Sequence, residues 1–176
     1  MNLKFDTLGF SGKWLKLIGD PAKGFSTMIY GRPKMGKSYL AIEFASYLAH
    51  DHGKVLYIAS EERISKTLQE KLAQTNGMHP DFHSVGMIPK DLSNYDFVFI
   101  DSVNHYGLKV DDLRKLQKKH PRISFVYIFQ TTKTGLFRGS NEFQHDVDVV
   151  IEIPQKGKAV QFGRFNSGGT MNLFKK

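Results

Sequence analysis

Continuous apolar runs alternate along the chain with stretches in which apolar residues return every three or four positions. The first pattern marks strands buried on both faces, the second helices with one buried stripe. Phe25 to Tyr30 predicts a first core strand and Tyr39 to His50 its helix; Lys54 to Ala59 predicts a second strand. An amphipathic helix is expected from Ile64 to Gln74, with Ile64, Leu68 and Leu72 on one face. The next stretch, rich in Gly, Pro and His, reads as loop. Asp96 to Asp101 is a third strand and Asp111 to Lys119 a short helix. That helix opens on Asp111 and Asp112 and closes on Lys118 and Lys119, the polarity its dipole favours, so those lysines read as a solvated helix end ahead of a DNA contact. Ile123 to Phe129 is a fourth strand ending on Gln130, and Val147 to Ile153 a fifth. Lys158 to Phe165 and Gly169 to Phe174 form a closing hairpin around Asn166-Ser167-Gly168-Gly169. Residues 1–24 read as a lead-in whose Trp14, Leu15, Leu17 and Ile18 pack on the core. The alternation predicts an α/β fold with a mainly parallel sheet flanked by helices.

Between the first strand and its helix stands Gly31-Arg32-Pro33-Lys34-Met35-Gly36-Lys37-Ser38, a complete G-x-x-x-x-G-K-[ST] string. Its glycines let backbone N–H groups curl around phosphate oxygens while the helix N-terminus points partial positive charge at them. In such a loop Lys37 reaches the β- and γ-phosphates and the Ser38 hydroxyl holds Mg²⁺; Gly31 to Tyr39 is the expected nucleotide-contacting segment. A nucleoside triphosphate site is therefore expected.

Composition narrows the setting. The chain has 176 residues, 40% of them hydrophobic, which suits one domain over residues 1–176. No cysteine is present, which removes disulfides, thiolate metal sites and a cysteine nucleophile, and fits a reducing compartment. No apolar stretch is long enough to span a bilayer and Met1 to Asp6 has no signal-peptide hydrophobic region, so a cytoplasmic location without membrane contact is expected. The net charge of +8 favours a polyanionic partner, although its 25 basic residues are spread along the chain.

Further site residues follow from what triphosphate chemistry requires. A carboxylate at the end of a buried strand orients Mg²⁺, and Asp101 after Phe97-Val98-Phe99-Ile100 meets that need. Hydrolysis needs a group to position the attacking water; Glu61 is favoured, with Glu62 as the alternative. Gln130, at a strand end, suits contact with the γ-phosphate. The loop Thr131 to Ser140 combines hydroxyls, two cations, Phe137 and two glycines, a mixture suited to single-stranded DNA or to an ordinary mobile loop. The pair His105-Tyr106 after the third strand is a weaker candidate for base stacking.

In this order the motifs resemble the RecA-type ATPase core, especially that of RadA/Sms recombination proteins and DnaB-type replicative helicases. Leu17 to Gly24 looks like the glycine-rich approach to the P-loop strand, and Val55 to Glu62 like the strand ending in the catalytic glutamate. Phe99-Ile100-Asp101-Ser102 is similar to the family's Walker B segment, and Gln130 falls at its sensor glutamine. His145-Asp146-Val147-Asp148-Val149-Val150 resembles its H-x-V-D-x-V stretch. The resemblance implies ATP and Mg²⁺ as ligands and a homo-oligomeric ring or filament with ATP between subunits, Arg164 being the finger offered to a neighbour's γ-phosphate. It also implies action on DNA, single-stranded above all, with a replication or recombination protein as a further partner. Phe162 departs from the pattern, which carries lysine two residues before the finger, and the segments that make a full helicase or RadA protein are not in this sequence. Three functions remain open: a DNA-directed ATPase, an ATP-gated protein-binding module with little turnover, and a P-loop kinase.

Overall fold

The computed structural model describes residues 6–60, 69–72, 79–131, 140–163 and 168–174. Its elements are α1 (Gly12–Ile18), β1 (Ser26–Gly31), α2 (Lys37–Asp51), β2 (Val55–Ala59), α3 (Gln69–Leu72), β3 (Phe82–Val85), β4 (Phe97–Asp101), α4 (Val110–Lys119), β5 (Ser124–Gln130), α5 (Ser140–Phe143), β6 (Val149–Gln155), β7 (Lys158–Gln161) and β8 (Thr170–Asn172). The strands form one eight-stranded sheet in the order β3-β2-β4-β5-β1-β6-β7-β8. From β3 to β6 every pairing is parallel; β7 and β8 return antiparallel as the closing hairpin.

Side-chain alternation divides the core between the two sheet faces. Ile29, Tyr57, Phe99, Val126 and Ile151 face α1 and α2, where they meet Trp14, Leu17, Phe44 and Leu48. Met28, Leu56, Val98, Ile100 and Tyr127 face the other way, against Leu113 of α4 and Phe143 of α5. Because both faces are covered, all of β2 and β4 is buried, which is why their sequences read as unbroken apolar runs.

Two expectations change. The stretch read as loop contains β3, whose Phe82 to Val85 pair with Val55 to Ile58 at the sheet edge. The lead-in packs on the core as expected, through a short helix: α1 buries Trp14, Leu17 and Ile18, and Trp14 stacks on Phe44 at 4.7 Å. Leu15, expected to pack, is instead 44% exposed, on the outer side of that single short helix. Of the helix expected from Ile64 to Gln74, Gln69–Leu72 is observed; the remainder lies outside the described residues.

Two carboxylates fasten the chain around β1. Asp20 accepts hydrogen bonds from the Thr7 hydroxyl and the N–H groups of Gly9 and Phe10. Its burial alone would raise its pKa, but those bonds and the nearby His52 outweigh it and hold the carboxyl below its ordinary value. Asp148 accepts from the Ser26 N–H at 3.1 Å, while its own N–H donates to the Ser26 carbonyl. The motif around His145 to Val150 thus registers β6 against β1.

Candidate nucleotide site at the carboxyl ends of the central strands

β1 lies between β5 and β6, so the carboxyl end where its chain turns into α2 is flanked by two strand ends. In register Gly31 stands beside Gln130 on one side and Ile153 on the other. A side chain at Gly31 would bring its Cβ within 2.9 Å of the Ile153 carbonyl oxygen, so only glycine fits the strand exit. The loop then makes two left-handed turns, Lys34 at φ 63° and Gly36 at φ 110°. Gly36 is the conformation in which glycine carries no Cβ penalty. Beyond it α2 begins, and Lys37, Ser38 and Tyr39 of its first turn line the cleft.

Lys37 opens α2 and is only 6% exposed. Its ammonium donates to the Arg32 carbonyl oxygen at 2.6 Å, folding the charge over the loop. Ser38 follows, its hydroxyl donating to Asp101 Oδ2 at 2.7 Å. Asp101 ends β4, is 1% exposed, and accepts a second bond on the same oxygen from the Tyr57 hydroxyl at 2.7 Å. The Asp101–Ser102 peptide is cis. β2 contributes Tyr57 because it lies beside β4, with Ala59 opposite Asp101.

Gln130 closes the far side of the cleft. Its N–H donates to Asn104 Oδ1 at 2.8 Å, and the Thr131 N–H to the Gly31 carbonyl, so the ends of β1 and β5 and the loop after β4 are linked. The cleft, of about 460 Å³, is lined by Pro33, Lys34, Lys37, Ser38, Tyr39 and Asp101 among others, with Gln130 and Phe174 also at its walls. Behind it, the pKa of the Tyr30 hydroxyl on β1 is pushed up to about 12 by burial and by the Glu152 carboxylate.

The chemistry of this donor set fits the expected ligands. A buried ammonium, a run of helix-start N–H groups and a left-handed loop suit phosphate oxygens. A hydroxyl and a carboxylate in hydrogen-bond contact are hard oxygen donors of the kind Mg²⁺ takes, one or two at a time, alongside water and phosphate.

The structure brings together Gly31 to Tyr39, Asp101 and Gln130, three segments far apart in sequence. Glu61, Glu62, Arg164 and the loop Thr132 to Gly139 lie outside the described residues. Of the pair His105-Tyr106, Tyr106 is engaged within the fold, its hydroxyl donating to the Gly86 carbonyl at 2.7 Å and its ring packing on the core, while His105 is exposed. Two participants had no local signal. Tyr57 reads as one more residue of a buried strand, and Phe174 as the end of a hairpin.

Together the sheet order and the phosphate loop define a RecA-like P-loop α/β fold. Solved structures agree on that fold. The flagellar accessory protein FlaH from Methanocaldococcus jannaschii superposes with a TM-score of 0.65 at 14% identity, covering 96% of this chain and 95% of that one. A KaiC-like protein from Pyrococcus horikoshii gives 0.64 at 16% identity over 92% and 89%, and a further solved ATPase domain 0.57 at 13% over 86% and 81%. In sequence the chain is similar to DNA repair protein RadA of Helicobacter pylori, 28% identical over 159 residues, and of Listeria monocytogenes, 26% identical over 185. These matches take in 77% and 90% of this chain, and 35% and 40% of the respective relatives. The chain therefore spans a minor part of those proteins' length. No family model matches it.

Proposed function

We propose that this chain binds Mg-ATP in the cleft at the carboxyl ends of β1, β4 and β5 and hydrolyses it in the service of DNA repair, recombination or replication. The observation that carries this reading is the convergence of Lys37, Ser38 and Asp101, with Gln130 opposite, on one cleft at the start of α2. A triphosphate offers the Lys37 ammonium a charged acceptor in place of the Arg32 carbonyl, a stronger hydrogen bond of the charge-assisted kind. Ser38 and Asp101 are the residues that would hold Mg²⁺, which when bound neutralises charge on the β- and γ-oxygens. Gln130 contacts the γ-phosphate end and, through the Asn104 bond and the chain into Thr131, reports its state to the loop beyond. Glu61 positions the attacking water and Arg164 serves a neighbouring subunit's γ-phosphate, two assignments that rest on the family resemblance. The DNA role rests on similarity to proteins named as DNA repair proteins and on the net charge of +8. Assembly as a homo-oligomer with ATP between subunits follows from the role given to Arg164.

Phe162 favours a second reading. It is 59% exposed where the resemblance leads one to expect a lysine, so the finger region lacks one cation and turnover is slow while binding persists. Phosphate release from Mg-ATP, measured with and without single-stranded DNA across a protein concentration series, separates the two. A rate per subunit that rises with DNA and with concentration supports the DNA-directed oligomer. A flat, very low rate with ATP still bound supports an ATP-gated binding module.

A further inference from the structure

Among the described residues, Leu15, Met87, Phe162 and Phe174 are the large apolar side chains left exposed, and of these Phe174 lines the nucleotide cleft. Phe174 is 50% exposed, yet its ring is held from several sides. Tyr39 meets it nearly edge-on, with ring centroids 5.1 Å apart and planes at 65°. Beneath it lies Gly36, whose missing Cβ would stand 3.4 Å from the Phe174 Cζ and 3.1 Å from the Leu173 side chain. Behind it is Gly157, where a Cβ would come within 2.5 Å of the ring. The backbone ties the same pieces together: the Leu173 N–H donates to the Gly157 carbonyl at 2.7 Å, and the Gly157 N–H to the Met35 carbonyl at 3.1 Å. The end of the closing hairpin is thereby fastened to the phosphate loop itself. One glycine leaves room for the ring on the loop, a second leaves room behind it.

We propose that Phe174, braced by Tyr39, is a stacking platform for the base of the nucleotide whose phosphates the loop holds. This rests on the nucleotide reading of the cleft and extends it to the base. In such loops the lysine reaches the β- and γ-phosphates while backbone N–H groups cradle the α- and β-phosphates, so the α-phosphate lies away from the γ end that Asp101 and Gln130 mark. The ribose and base, attached to the α-phosphate, therefore leave the loop on the Ser38–Tyr39 side, where Phe174 stands. A purine laid on the exposed face of the ring covers apolar surface otherwise left to water, and edge-on support from Tyr39 leaves that face available. Stacking uses the π-face that every base has, so this platform favours purines over pyrimidines by ring area and separates adenine from guanine weakly.

The test compares ATP, GTP, UTP and inorganic tripolyphosphate, each with Mg²⁺, by titration calorimetry on the full chain. Wild type binds ATP and GTP alike, UTP more weakly and tripolyphosphate more weakly still. Phe174→Ala weakens ATP about tenfold, the size of one base–aromatic stack, and leaves tripolyphosphate unchanged. Phe174→Trp restores ATP binding, and Gly157→Ala, which displaces the ring without removing it, mimics Phe174→Ala. An equal loss of ATP and tripolyphosphate in Phe174→Ala would overturn the proposal, because the ring would then merely prop the loop; so would unchanged ATP affinity. Wild type that binds neither ATP nor tripolyphosphate would overturn the nucleotide reading and the platform with it.

Discussion

Asp101 keeps an acidic side chain at 1% exposure, with two hydroxyls, from Ser38 and Tyr57, donating to one oxygen. Losing the Tyr57 donor in that buried setting leaves the carboxylate less satisfied, and Tyr57→Phe is expected to lower stability by about 1–2 kcal/mol in nucleotide-free protein, read from chemical denaturation. A Tyr57→Phe protein as stable as wild type would show that Asp101 does not depend on it. At the same scale, Glu61→Gln should reduce phosphate release at least about a hundredfold while sparing ATP binding, and Glu62→Gln should leave release near wild type. The reverse pattern would transfer the water-positioning role to Glu62. The loop, Asp101 and Gln130 were legible in the sequence because each is announced by neighbours within a few residues: a glycine spacing, or an apolar run ending in one polar group. Tyr57 and Phe174 were not, since their roles arise only when β2 pairs with β4 and the hairpin folds back on Gly36.

Elements differ in how much of their structure the local sequence declares. β1, β2, β4 and β5 are buried on both faces and their apolar runs gave them away. β3 has four residues, of which Phe82 alone is buried, and pairs on one side only; such an edge strand leaves little pattern to read. The helix α1 spans seven residues, too short for the 3.6 period to show, and its burial of Trp14 against Phe44 and Tyr47 is a long-range contact. Trp14→Ala should therefore cost about 3–5 kcal/mol, the cost of emptying a core site. A loss below about 1 kcal/mol would mean that α1 is dispensable to the fold. The Asp20 clasp over the same segment has a pH signature. Its carboxyl is held below the ordinary value of 3.8, so its contribution is present above that pH and disappears as pH falls through the lower, folded value. Asp20→Asn should be less stable than wild type near neutrality, and the gap should close in acid. A gap that is constant with pH would assign the clasp to hydrogen-bond geometry alone.

For the whole molecule the sheet order places one strand end from each of β1, β4 and β5 at a single cleft, and fastens the closing hairpin to the loop that lines it. The Gly157–Met35 and Leu173–Gly157 hydrogen bonds join that hairpin to the loop directly. If the chain engages single-stranded DNA, affinity should fall with salt, log K decreasing by about 0.7 per decade for each phosphate neutralised. Binding indifferent to salt between low and physiological concentrations would remove the electrostatic basis of the DNA role.

The proposed function depends on the loop and Asp101 holding Mg-nucleotide. The most direct measurement is calorimetric titration of Mg-ATP into wild type and Lys37→Ala, each checked for folding by circular dichroism. The expected result is saturable, Mg-dependent binding near one per chain in wild type, and affinity at least about tenfold lower in Lys37→Ala, the loss of one charged hydrogen-bonding partner. No binding by folded wild type, or equal binding by the folded variant, would contradict the assignment of this cleft.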